Sequence, residues 1–368
     1  NSAGSRGVSI SNDGNVVGIS YPTLQGDAYS DYAGYATSFV WNGLTFAEKE
    51  SKLGTRDCCV IDLSRDGSFA VYGDPGFQSR GTVYFNRGSY VANHTEQYGR
   101  EQGHSHAYRV AIDAEGDDVV VSGISDADTG TRKYTNAGYV RRYIYDSQSN
   151  NQLGWYQNPK SDYIGLANDA YLGSSLDLSN DGTVILAGQV NGAGKIKINI
   201  VPGNDCCRGL NWLAEHEFDG VYGRLSGSGE FVSIVTASDA VKVYKINTRN
   251  QVGSDLTGNL VDINDDGTIL SIGSGSEVKI YKLEDNNWVH KGRPIISEES
   301  ISHLRLSGNG RSLVFSEGYF ERNSSQVIVR AGRVSVFDLE TNQQNLGPLF
   351  ESLPNFEVFE NELYIGQL

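Results

Sequence analysis

The sequence predicts an all-β chain of seven repeated units, each of four antiparallel strands, closed around an axis with an additional C-terminal strand or hairpin. Three observations carry this expectation. A Ser-x-Asp-Gly type of turn recurs along the chain, a continuous apolar run follows each turn, and a Val/Tyr/Phe-rich run follows most of those. Composition agrees: 44 Gly, 21 Tyr and 13 Phe stand against 7 Pro and no Met. Glycine serves tight turns, and aromatic and β-branched side chains suit half-buried strands. The 368 residues exceed the roughly 250–300 that one hydrophobic core usually serves, so the chain must divide or repeat. No long Ala/Leu/Glu/Lys stretch holds a helical period.

The turns come first. They are Ser11-Asn12-Asp13-Gly14, Ser64-Arg65-Asp66-Gly67, Asp113-Ala114-Glu115-Gly116, Ser179-Asn180-Asp181-Gly182, Ser226-Gly227-Ser228-Gly229, Asn264-Asp265-Asp266-Gly267 and Ser307-Gly308-Asn309-Gly310. From Gly14 to Gly310 the six intervals average about 49 residues, within the range of propeller blades. Ser, Asp or Asn at the first position accepts local backbone N–H groups, and the closing glycine supplies a positive φ. The next element is an apolar run such as Val184-Ile185-Leu186-Ala187, as a strand covered on both faces should be. Several of these runs end in glycine (Gly73, Gly188, Gly273), expected where neighbouring units crowd together. Third strands read Thr82-Val83-Tyr84-Phe85 or Val278-Lys279-Ile280-Tyr281, and a more polar fourth segment carries Trp155, Trp212 or Trp288. The unit boundaries fall near 6–54, 55–104, 105–168, 169–218, 219–256, 257–298 and 299–350, leaving 351–368 as a closing or exchanged segment.

The cadence Ser-x-Asp-Gly, apolar run, loop, Gly-x-Val-x-Val-Tyr resembles WD-repeat-like propellers and FG-GAP-type surface propellers. The resemblance covers nearly the whole chain and implies a seven-bladed β-propeller in a single domain. It implies no particular activity. The Trp-Asp dipeptide of the first family and the Phe-Gly…Gly-Ala-Pro signature of the second are absent. Phe356 to Gly366 falls where an eighth unit would begin, and the chain stops at Leu368. A strand that latches the ring is the first reading, since closure protects propeller edges. A strand given to another subunit is the second, and it would build head-to-tail polymers with Phe356–Leu368 at the contact.

Thirty basic against 45 acidic residues give a net charge of −15. That field repels phosphate backbones and anionic lipid, so nucleic-acid binding is not expected. Nor is membrane insertion, for no apolar run approaches the roughly 18–20 residues a spanning helix needs. The sequence starts at Asn1 with neither Met nor a hydrophobic leader and reads as a processed chain. Sequons at Asn93 and Asn323, and paired cysteines at Cys58-Cys59 and Cys206-Cys207, point to a secreted glycoprotein. Bridging two non-adjacent blades would need Cα atoms within about 7 Å. Vicinal disulfides therefore rank first and bridges to another chain second, with free thiols also open.

Candidate chemistry is thin. Asp262, Asn264 and Asp266, like Asp62, Ser64, Asp66 and Asp177, Ser179, Asp181, resemble the opening of a calcium loop. Calcium wants six to eight oxygens and a closing carboxylate, whereas apolar strand follows each motif, so turn formation is the stronger reading. Ser179 to Thr183 is too short for the sialidase box and lacks its tryptophan. A glycosidase would need two facing carboxylates, which loops such as Asp27 to Asp31 and Asp126 to Asp128 could supply. His104-Ser105-His106 offers half a metal site, with a polar loop as the stronger reading. Gly192-Ala193-Gly194-Lys195 lacks the spacing of a phosphate loop. The sequence thus favours a non-catalytic extracellular module without cofactors, binding protein partners and copies of itself, in its sharpest form a repeating subunit of a surface filament or layer. A glycan-binding adhesin using Tyr29, Tyr32 and Tyr35, and a propeller-type glycoside hydrolase, are the rivals.

Overall fold

Every turn motif joins two antiparallel strands, and the described strands gather into seven blade sheets and two small two-stranded ones. In the computed structural model of the chain, the described residues are 7–21, 35–43, 45–53, 60–75, 81–87, 95–98, 106–124, 127–128, 133–146, 154–190, 194–201, 216–317, 321–322, 328–330, 333–341, 343–344, 356–359 and 362–365. The first sheet runs in chain order through Gly7–Ile10, Val16–Tyr21, Tyr35–Trp41 and Phe46–Leu53. Blade two repeats this with Val60–Leu63, Phe69–Asp74, Thr82–Arg87 and Thr95–Tyr98. Blade three uses His106–Ile112, Asp118–Gly123, Tyr139–Asp146 and Gly154–Ile164, with a small hairpin, Ala127–Asp128 and Lys133–Tyr134, inserted between its second and third strands. Blades four, five and six begin at Leu176–Leu178, Tyr222–Leu225 and Leu260–Ile263. Blade seven is the largest, a six-stranded sheet beginning at Ile301–Leu306. The fold is a seven-bladed β-propeller, and no helix occurs among the described residues.

The turns work as their chemistry predicts. The seven closing glycines have φ between 68° (Gly310) and 81° (Gly14), the left-handed region that a Cβ resists. They also lie against the preceding blade. A Cβ on Gly267 would stand 2.3 Å from Cδ2 of Phe231, and one on Gly14 would meet Ser312 of blade seven, across the junction between the chain's ends. Of the glycines that end second strands, Gly73 faces Ala107 and Gly273 faces Leu304, each on the next blade, while Gly188 faces Ser175 of its own.

Among the described residues the core is divided. Seven apolar clusters occupy the seven junctions between blades. Alternation along the second strands makes this possible. Val119 and Val121 belong to the cluster shared with blade two, and Val120 to the one shared with blade four, all at 0% exposure. A strand with period two thus feeds two clusters at once, and the size limit on one core does not apply.

Blades seven and one meet in the same way. Val8, Val17, Ile19, Phe39 and Phe46 pack against Val314, Val334 and Val336, and Asn309 N–H donates to the Asn12 carbonyl at 3.0 Å. The described strands of the C-terminal segment join blade seven's own sheet. Glu362–Ile365 pairs with Arg333–Asp338 of its own chain (Val334 opposite Leu363), and Phe356–Phe359 pairs outside it. The described strands of the hairpin thus form the outer part of blade seven's sheet.

Candidate functional site

The first strand of each blade lines the axis. Two residues before each turn, the repeat places Ser9, Asp62, Ala111, Asp177, Arg224, Asp262 and Arg305. Side chains here tie one blade to the next. Leu63 N–H donates to Ser9 Oγ at 3.2 Å, Ile112 N–H to Asp62 Oδ2 at 3.2 Å, Leu225 N–H to Asp177 Oδ2 at 2.9 Å, and Leu306 N–H to Asp262 Oδ2 at 2.7 Å. Ser9 Oγ donates in turn to Asp62 Oδ1 at 2.8 Å. In each case an oxygen on one blade meets an inner-strand amide of the following blade. Arg224 Nε lies 3.4 Å from Asp262 and its Nη1 3.6 Å from Asp177, while Arg305 reaches Asp62 at 3.6 Å and Asp262 at 3.9 Å.

Burial dominates the acid–base behaviour of this ring. It pushes Asp62 up to about 6 and Asp262 up to about 7, against the opposing pull of the Arg224 guanidinium, and the nearby Asp177 adds repulsion to both. Asp177 is raised for the same first reason. Such carboxylates are what a search for catalytic acids looks for, yet each already holds a backbone amide of the neighbouring blade.

Six backbone bonds also join neighbouring turns. Asn12 N–H donates to Arg65 O, Ala114 to Asn180 O, Asn180 to Gly227 O, Ser228 to Asp265 O, Asp265 to Gly308 O and Asn309 to Asn12 O, all between 2.7 and 3.0 Å. The turns therefore lie side by side on one face, and Arg65 spans that face to Asp265 at 3.1 Å. Two cavities along the axis are lined by described residues. A cavity of about 100 Å³ near the turns is lined by Asp62, Asp177, Asp262, Arg65 and Asp265. A larger one of about 220 Å³, towards the start of the inner strands, is lined by Arg109, Ser175, Tyr222, Arg224, Ser302 and His303 among aliphatic walls.

The calcium-like residues go to different places. Asp262 is in the axial ring, Asn264 Oδ1 accepts from Thr268 and Ile269 N–H at 2.9 and 2.8 Å, and Asp266 Oδ1 accepts from Thr268 N–H at 3.0 Å. The other turns repeat this: Ser179 Oγ accepts from Val184 N–H and donates to Asp181. Burial works against ionisation of Asp13, Asp66 and Asp181, but hydrogen bonds from their own turns outweigh it and hold all three below the usual carboxylate range. His106, expected in a polar loop or a metal half-site, is instead fully buried in a strand, its Nδ1 2.9 Å from the Tyr139 hydroxyl and its Nε2 3.1 Å from that of Tyr143. Asn93, Asn323, Cys58, Cys59, Cys206, Cys207, His104, Asp27 to Asp31, Asp126, Tyr29 and Tyr32 lie outside the described residues, as do the side chains of Tyr35 and Asp128.

Sequence reasoning named Asp62, Asp177 and Asp262 only as openings of calcium-like loops, and it missed Arg224, Arg305 and the axial placement of all five. The signal was present, because Asp or Arg stands two places before the turn in five of the seven units (Asp62, Asp177, Arg224, Asp262 and Arg305). That position reads as an ordinary strand residue until the blades are set around an axis. Arg109 and His303, two places earlier again, carry no sequence signal at all. Compared with known proteins, the chain matches no family model and no curated protein.

Proposed function

We propose that this propeller is a non-catalytic interaction module acting outside the cell, and that copies of it associate head to tail through blade seven. The observation that carries this reading is the C-terminal hairpin, which extends blade seven so that Phe356–Phe359 is the edge strand of its sheet. An edge strand offers backbone donors and acceptors to another chain. Its contact with a different surface on the next copy would propagate rather than stop at a dimer. Support for a non-catalytic role comes from the axis, where the perturbed carboxylates are spent on inter-blade amides. Deleting residues 345–368 and sizing the product by light scattering is the test. Expected is a shift from large species to monomer, with the β-sheet circular dichroism signal kept. Association unchanged by the deletion would overturn the reading.

Glycoside hydrolysis is the second reading, favoured by one observation: Asp62 and Asp262 are raised towards neutrality in a shared axial site. Asp262→Asn would then abolish turnover of a glycoside panel. Unchanged turnover, or none in the unmodified protein, removes it.

A further inference from the structure

We propose that the larger axial cavity binds a small oxyanion, either an inorganic one or the carboxylate of a compact organic acid. The cavity holds about 220 Å³ and is lined by aliphatic side chains including Val60 and Leu260, with Arg109, Arg224, Arg305 and His303 as its charged and basic members. Few polar groups set in an apolar wall is the usual make-up of a small-molecule site.

Arg224 is the anchor. It is only 5% exposed. Nε and Nη1 face Asp262 and Asp177, Nη1 also donates to the Leu176 carbonyl at 3.3 Å, and Nη2 has no partner. Nδ1 of His303 likewise has no partner. A buried guanidinium nitrogen without an acceptor costs free energy that a bound oxyanion would recover through a charge-assisted bond. The charges around His303 indicate the sign of the ligand. Burial, then Arg109 and Arg224, pushes its imidazole down to about 3, so two guanidinium groups raise the potential there. The carboxylates Asp62, Asp177 and Asp262 belong to the next layer towards the turns, engaged with the amides of Ile112, Leu225 and Leu306. A cation would meet Arg109 and Arg224. An anion would complete both the unpartnered Nη2 and the imidazole.

Titration calorimetry on the full chain tests this, with sulfate, phosphate, acetate and benzoate as probes at constant ionic strength set with chloride. Expected is saturable binding of one anion per chain by at least one probe. Preference for sulfate or phosphate identifies an inorganic oxyanion, and preference for benzoate identifies a carboxylate with an apolar body. Arg109→Gln and His303→Gln should each weaken binding about tenfold or more, while Lys282→Gln, on the exposed surface, should leave it unchanged. Arg224 is left intact because it also ties blades together. Should Arg109→Gln fail to fold by circular dichroism, His303→Gln carries the test alone. No saturable binding of any probe up to roughly 10 mM, or binding indifferent to the folded cavity variants, overturns the proposal.

Discussion

Ser179 illustrates how much one side chain does here. Its hydroxyl accepts from the Val184 amide and donates to Asp181, at 0% exposure. Ser179→Ala leaves the Val184 amide and the Asp181 carboxylate each without that partner, and about 1–3 kcal/mol of stability should be lost, read from urea unfolding. Gly267→Ala should cost at least as much. It forces an L-residue to a φ of 74° and drives a methyl into Phe231 of blade five, where the backbone conformation alone costs roughly 1–2 kcal/mol. A Gly267→Ala chain as stable as the parent would show that the turn relaxes and that the glycine is not required by blade contact. Asp62 sets a pH dependence. Its folded-state pKa is raised to about 6, with burial the first cause. The native chain therefore holds a proton that the unfolded one releases, and stability falls as pH rises from about 4 through 6. Asp13, Asp66 and Asp181 are lowered, so their contribution is present above the ordinary carboxylate range and fades below it. Asp62→Asn keeps an oxygen for the Ile112 amide and removes the titration, so melting temperature should decline less between pH 5 and pH 8 than in the parent. An unchanged slope would assign that pH dependence to other groups.

At the scale of elements, the outer strands are not simply polar. Trp155, on blade three's outermost strand, stacks on Phe85 of blade two with ring centroids 4.2 Å apart and is 8% exposed. Trp288 on blade six donates its indole N–H to the Val252 carbonyl of blade five at 3.0 Å. Each tryptophan closes the outer end of an inter-blade cluster, so a polar strand carries one large apolar exception where the wedge between sheets widens. Trp155→Ala should cost about 3–5 kcal/mol and loosen blades two and three against each other. Hydrogen exchange should show lost protection in Thr82–Arg87 and Tyr139–Asp146, with blades five and six unaffected. Protection lost evenly around the ring would contradict this local coupling.

For the whole molecule, stability resides in the seven junctions rather than inside the blades. A ring of such junctions unfolds as one unit only while it is closed, since opening one junction exposes two blades without covering others. Phe39, 2% exposed, belongs to the cluster between blades seven and one. Phe39→Ala should lower the unfolding midpoint and make blades one and seven exchange first, a pattern that open repeat arrays show at their ends. If blades three to five lost protection first, closure between the two ends of the chain would not be the weak point. The C-terminal hairpin is outside this circuit, so its deletion should leave the ring transition in place.

Much was legible in the sequence because the governing interactions are local. A turn such as Ser179 to Gly182 satisfies its own amides within six residues, so its chemistry and its repeat spacing announce a blade wherever they occur. The continuous apolar runs of the second strands gave the rest of the all-β reading, down to the sheet covered on both faces. The axial site was not legible in the same way. Asp62 acts on an amide 50 residues away, at Ile112, and Arg224 gathers Asp177 and Asp262 from the blades on either side of its own. Such partners meet only because seven sheets stand around one axis, and spacing along the chain does not encode which blades are neighbours in charge. The place of the C-terminal hairpin was open for a related reason: backbone hydrogen bonding is the same to any strand edge, and only the assembled ring, already closed by packing between blades seven and one, left blade seven's outer edge for it to join.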